Sequence, residues 1–405
     1  MNFDRVARIS LCVLVTLTVG SLGIRTLAQS TSDLRAMQWW LQTLGVPATG
    51  PRTAIGIVDS GCSPRMDPTG QLASCIRWGW NYALNNSDYS DGESPQTGAH
   101  GTEMAGIAGA GQVGAFPGNV NLAIGRDVDD QGNTTVHWQC LAMRGLVDQG
   151  AGVISISQNL GYPTTSERQE LSTTVDYLES KGVPLFVACG NDSKDRDTDP
   201  DEWNWLPQSN VYRSAATTRE DTLTSISAFG LGRVEGAAPA SEFLLVGSTA
   251  NSYTWAVGGT SESTIITASL AALLLDQVSE GKMTWDQVIP TIMGTSDRVP
   301  GLAGKVFSGG RINFARALSA NLNTPLDSLG VSVKRKSAKL VVSGTETPNA
   351  SVEFAVILRI WVGGRLAGLC SPGTEGAFRF VAKGEFQRNT VLNVQSSLGA
   401  EATSD

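Results

Sequence analysis

The sequence predicts an α/β domain with a mainly parallel sheet and helices on both faces, followed by a small all-β sandwich. Three observations predict it. Apolar strands without polar alternation recur along the first three quarters of the chain, as parallel strands covered on both faces require. They alternate with segments of helical period. After Leu318 the helical period disappears, and short β-type runs separated by Gly, Pro and Asn turns take over.

The elements follow in order. Leu34, Met37, Trp40 and Leu41 recur at helix spacing, so a helix is expected from Ser32 to about Leu44, ended by Gly45 and Pro47. Ala54 to Val58 is the first apolar strand, and Val120 to Ile124 the next. Val136 to Gln149 reads as a helix stopped by Gly150. Gly152 to Ser157 is a strand, Ser166 to Ser180 a helix capped by Ser166, and Val183 to Cys189 a strand. Leu244 to Gly247 is a short strand; Leu270 to Glu280 and Trp285 to Met293 are helices. Asn321 to Ser328 is a polar, Pro-containing linker. Val331–Val333, Lys339–Val342, Val352–Val362, Ala377–Val381 and Val391–Gln395 are the β-type runs of a module over 329–405. The expected organisation is therefore a signal over 1–28, a main domain over 29–320, the linker over 321–328, and the sandwich.

The first segment carries a targeting pattern. Arg5 and Arg8 give a basic start, Ile9 to Ile24 an uncharged apolar run, and Thr26-Leu27-Ala28 the small residues of a cleavage site. The run is short for a membrane span, so secretion to an extracellular or periplasmic site is expected, with an uncleaved anchor as the alternative. No stable membrane insertion is expected after cleavage. Losing Arg5, Arg8 and Arg25 takes 30 basic residues to 27, and losing Asp4 takes 38 acidic residues to 37, a net charge of −10. So acidic a chain is a poor ligand for nucleic acid.

Of six cysteines, Cys12 leaves with the signal, and the remaining odd number leaves at least one unpaired. Cys62 and Cys75, close together in a loop-rich stretch, are the expected disulfide in an oxidising compartment. Cys140 and Cys189 read as buried thiols. No Cys-x-x-Cys pair or His-Glu-x-x-His helix suggests a transition-metal site.

Only two histidines exist, so an imidazole base must be His100 or His137. His137 starts a helix with no polar cluster nearby and reads as a surface or packing residue. His100 lies in Gly98-Ala99-His100-Gly101-Thr102-Glu103-Met104-Ala105-Gly106, where small residues let a helix pack tightly on a sheet. Asp59 ends the first apolar strand, at the strand end where open α/β sheets place their sites. Ser261, in Gly258-Gly259-Thr260-Ser261-Glu262, stands directly before an apolar helix, where the dipole favours a developing oxyanion. Asn191 follows a strand in Cys189-Gly190-Asn191, where its amide could donate to that oxyanion.

Together these four segments resemble the subtilisin-like serine proteases, the subtilases, over about residues 37–318. The matching pieces are Val58-Asp59-Ser60-Gly61, His100-Gly101-Thr102 with Ala105-Gly106, Cys189-Gly190-Asn191, and Gly259-Thr260-Ser261; Gly310-Arg311-Ile312-Asn313 resembles the family's closing segment. The resemblance implies an endopeptidase acting on polypeptides through an acyl-enzyme. Ser261 would be the nucleophile, His100 the base and Asp59 its orienting partner, with Asn191 and the Ser261 N–H as oxyanion donors. It also implies substrate pairing along Ser155–Gly161 and a specificity pocket at Asn204-Trp205-Leu206-Pro207.

The chain departs from the family pattern in five places. Ile265 replaces an expected proline, Glu262 an expected apolar residue, and Gln158-Asn159 sit inserted in the substrate edge. The segment after His100 lacks an extended calcium loop, and Gln29 to Thr53 leaves no room for an inhibitory prodomain. These departures support a rival class, a non-catalytic subtilase-like protein that binds peptides or a partner; a third class is an adhesion or wall-associated protein recruited through its β module. Gly109 to Gly114 fits the G-x-G-x-x-G pattern but follows a helix rather than a strand, so it reads as a turn. The acidic run Asp192, Asp195, Asp197, Asp199, Asp201 and Glu202 is a solvated loop, a calcium site, or a selector of basic residues before the cleaved bond. Apart from that calcium, no cofactor is expected. A histidine base predicts activity falling as pH drops through roughly 6 to 7.

Overall fold

The computed structural model describes residues 31–91, 99–247 and 252–320, and beyond them 327–336, 339–348, 358–362, 365–372, 377–383, 392–397 and 401–404. The expected signal over 1–28 and residues 321–326 of the expected linker lie outside the described residues.

The expected first helix is two short ones, α1 (Thr31–Ala36) and α2 (Trp39–Leu44). Gln38 stands at the break: its buried side chain donates to Val113 O and Leu244 O, both at 2.9 Å, tying those two segments together. Gly45 ends α2 at φ +66°. Next come β1 (Ala54–Asp59), α3 (Gln71–Cys75), β2 (Ile76–Asn81), α4 (His100–Gly109) and β3 (Leu122–Arg126). They are followed by α5 (Val136–Asp148), β4 (Ala151–Ile156), α6 (Thr165–Ser180) and β5 (Leu185–Ala188). The cap of α6 is Thr164 rather than Ser166; Thr164 accepts from the Glu167 N–H while the Glu167 carboxylate accepts from the Thr164 N–H. β6 (Val211–Thr217) and β7 (Gly236–Pro239) were not predicted. β6 carries buried Arg213 and Ser214, and β7 is built of small residues, so neither has the apolar signature of a core strand.

β8 (Phe243–Val246) pairs with β9 (Tyr253–Ala256) in an antiparallel hairpin outside the main sheet. α7 (Thr260–Ser279) begins ten residues before the predicted Leu270, because its first half is as buried as its second. α8 (Val288–Gly294), β10 (Asp297–Arg298), β11 (Gly310–Arg311) and α9 (Phe314–Leu318) complete this part.

The main sheet runs β10-β11-β7-β6-β5-β4-β1-β3-β2, parallel except for β10 against β11. One apolar cluster on α2, α4, α7 and α9 covers one face, and a second on α5 and α6 covers the other. The chain fills β2 and β3 on one side of β1 and then crosses to β4 on the other. That reversal opens a crevice at the strand carboxyl ends, where Asp59 ends β1 and Ser157 follows β4.

The C-terminal part is all antiparallel. β12 (Asp327–Lys336), β13 (Lys339–Pro348) and β16 (Ala377–Lys383) form one sheet. β14 (Leu358–Val362), β15 (Arg365–Cys370), β17 (Leu392–Ser396) and β18 (Glu401–Ser404) form the other. Val342 and Phe378 of the first sheet share a core with Leu358, Ile360, Val362 and Val394 of the second, which makes a sandwich. β12 starts two residues inside the expected linker.

Cys62 and Cys75 are free, contrary to the expected disulfide. The Cys75 thiol faces Gln71 O at 3.5 Å and Gly109 O at 3.6 Å, and Cys62 is buried beside Thr102. Cys140 and Cys189 are buried thiols, as expected. No helix among the described residues is long and apolar enough to cross a membrane.

Candidate active site

Asp59 is buried at the end of β1. Its Oδ1 accepts from the Ser60 N–H at 2.7 Å and stands 2.8 Å from His100 Nδ1; Oδ2 lies 3.0 Å from the same nitrogen. His100 is the first residue of α4. Gly101 permits this approach, since a Cβ there would lie 2.1 Å from Gly61 O. The Gly101 N–H donates to Ser60 Oγ at 2.9 Å, and the Thr102 N–H donates to Asp91 Oδ2 at 2.9 Å, so the helix start is stitched to the segments that follow β1 and β2.

Ser261 is the second residue of α7, inside its first turn rather than before it. First-turn N–H groups have no intrahelical acceptor and present the positive end of the dipole. The Ser261 hydroxyl donates to Ser157 O at 3.5 Å, and Ser157 Oγ donates to Ser261 O at 3.3 Å. Among the described residues, Ser261 Oγ forms no hydrogen bond with His100 in this rotamer. Catalytic hydrogen bonds are commonly longer before substrate binds. Asn191 lies against the same turn: its Oδ1 accepts from the Thr260 N–H at 2.9 Å and from Thr260 Oγ1 at 3.0 Å. Gly259 leaves room for that amide, because a Cβ there would lie 2.7 to 2.9 Å from the Asn191 side chain. Thus Asp59 and His100 meet directly, Asn191 meets the Ser261 turn, and Ser157 bonds Ser261.

Glu262 does not point into solvent. It is buried, and its Oε2 accepts from the Gly259 N–H at 2.6 Å, so it caps the helix that carries Ser261. Burial pushes its carboxyl above the usual range, partly offset by that N–H. Ile265 sits in the core, and α7 runs through its position unbroken. Gln158 O accepts from Trp203 Nε1 at 2.9 Å, and Asn159 bonds Asp201, so these two residues anchor the segment after β4 to the 201–203 segment.

Two acids escaped sequence reading. Burial lifts Glu103 to about 7 and Asp91 to about 6. Glu103 follows His100 by one helical turn, a spacing that could have revealed it; Asp91 carried no such signal. Burial favours a neutral His100 ring, but the charge and hydrogen bond of Asp59, joined by Glu103 and Glu262, outweigh it and lift the ring to about 10. That replaces the ordinary range of 6 to 7 expected from sequence. His137 is exposed and pairs through Nδ1 with Glu170 Oε1 at 2.6 Å, away from this chemistry.

The acidic run carries its own counter-charges. Arg196 meets Asp192 at 2.7 Å and Asp201 at 3.1 Å, and Lys194 meets Asp199 at 2.6 Å. Both Asp197 oxygens accept from the Gly232 N–H. No group of three or more His, Cys, Asp or Glu among the described residues could hold a metal ion.

The model of the subtilase family matches residues 50–325. No curated protein matches the chain in sequence. Solved structures share the fold. A cold-adapted subtilisin-like serine proteinase is 22% identical with a TM-score of 0.53, covering 66% of this chain and 97% of its own. The epidermin leader peptide processing serine protease from Staphylococcus aureus is 19% identical with a TM-score of 0.60, covering 73% and 83%. A lanthipeptide protease is 18% identical with a TM-score of 0.58, covering 71% and 95%.

Proposed function

The chain belongs to the subtilase family, and from that premise we propose that it is a secreted serine endopeptidase acting through Ser261, His100 and Asp59. The observation that carries the proposal is the buried Asp59 carboxylate 2.8 Å from His100 Nδ1. That contact fixes the ring tautomer, so Nε2 is the nitrogen left to take a proton. The Ser261 hydroxyl attacks the peptide carbonyl as His100 takes its proton. The tetrahedral oxyanion is held by the Ser261 N–H at the start of α7 and by the Asn191 amide. His100 returns the proton to the leaving amine, and water then resolves the acyl-enzyme. Substrates are polypeptides, laid along the segment that follows β4. The basic start and apolar run of residues 1–28 support export.

One observation favours the second reading, a non-catalytic peptide binder: the Ser261 hydroxyl is turned to Ser157 O. A serine-directed fluorophosphonate separates the two. The enzyme reading predicts stoichiometric labelling of the folded wild type and none of Ser261→Ala. Equal, negligible labelling of both folded proteins would support the binder.

A further inference from the structure

One wall beside the site is tied to the C-terminal sandwich. Arg359 on β14 donates to Glu235 Oε1 at 2.8 Å and to Gly232 O at 3.3 Å. Its guanidinium lies 4.1 Å from the ring centre of Phe307. Glu235, just before β7, also accepts from the Arg213 N–H at 2.7 Å and from Arg213 Nη1 at 3.1 Å. Arg213 on β6 then donates to Trp203 O at 3.0 Å and to Leu206 O at 2.6 Å. All three side chains are buried. A parallel tie runs beside this one: Arg233 donates to Asn204 O and lies over the Trp361 ring. Leu366 of β15 packs so close to Gly232 that a Cβ there would lie 2.7 Å from it.

The carbonyls gripped by Arg213 and Arg233 belong to 203–206, overlapping the segment expected to shape the specificity pocket. Trp203 of that segment also donates through Nε1 to Gln158 O at 2.9 Å, in the stretch expected to pair with substrate. We propose that the sandwich is a positioning element for the substrate pocket, with Arg359 acting through Glu235 and Arg213 to hold Trp203–Leu206 in place. A buried charge that loses one partner loosens the others, whereas a rim ion pair would not. The inference rests on the endopeptidase reading, and Arg359 is a positioning residue with no contact to Ser261 or His100 among the described residues.

The test uses the full chain. Arg359→Ala and the milder Leu366→Ala are compared with wild type for peptide KM, kcat, selectivity across a P1 peptide library, and fluorophosphonate labelling rate, with thermal melts confirming folding. Misplacing a substrate-positioning wall should raise KM about 10-fold and flatten P1 selectivity, with labelling and kcat within about twofold of wild type. Arg359→Lys, keeping the charge but not the fork, should recover part of the loss. Wild-type KM and selectivity in both folded alanine variants would overturn the inference. So would labelling that falls in step with KM. Absent labelling of the wild type would instead remove the endopeptidase reading itself.

Discussion

Replacing Asp59 by asparagine is expected to lower kcat/KM about 10⁴-fold without unfolding the protein. The carboxylate faces His100 Nδ1 with both oxygens and accepts from the Ser60 N–H. An amide of the same shape keeps the packing and can still accept from Ser60. It can also donate to Nδ1, which would put the ring proton on Nε2 and leave no base toward Ser261. Steady-state kinetics on a peptide substrate, with circular dichroism to confirm folding, measure the effect. A drop of tenfold or less would mean that His100 does not depend on Asp59 for its tautomer.

The second large effect is a displaced pH profile. With the ring lifted to about 10, His100 is mostly imidazolium at neutral pH, and only the neutral ring can accept the Ser261 proton. kcat/KM should therefore rise about tenfold per pH unit between pH 7 and 9. Glu103→Gln removes one of the raising charges, so its acid limb should shift toward neutral pH. A wild-type limb centred at 6 to 7 and unmoved in the variant would show that the carboxylates do not govern the base. The sign for stability is opposite to that for rate. A raised histidine contributes stability that is fully present below about pH 6.5 and lost as pH rises through its folded value near 10. Asp91 and Glu103, lifted to about 6 and 7, also favour the fold most at low pH. The protein should melt at lower temperature where it works fastest.

Much of the fold was legible because its central strands are apolar on both faces. β1, β3, β4 and β5 announce themselves through mainly apolar runs in which Gly, a Ser in β4 and the last residues of β1 and β3 are the only interruptions. β6 did not, because Arg213 and Ser214 are satisfied inside the core by Glu235 and Ser263, partners distant in sequence. Asp59, His100, Asn191 and Ser261 were found at strand ends and helix starts, where chain geometry exposes polar groups. Their electrostatic setting was not found, since the shift of His100 depends first on its direct contact with Asp59 and then on the smaller effects of Glu103 and the inward-pointing Glu262. The Cys62–Cys75 expectation failed because closeness in sequence does not aim two thiols at each other. Nothing in the β-type runs of the sandwich foretold that Arg359 would reach the main domain.

The central claim is that Ser261 forms the acyl-enzyme. It is tested most directly by turning over an activated acyl ester, quenching in acid during the burst, and mapping the adduct by peptide mass. The account predicts one acyl group per chain, on the peptide bearing Ser261, and none in Ser261→Ala. Turnover with the adduct on another residue, or with no adduct during a burst, would contradict it.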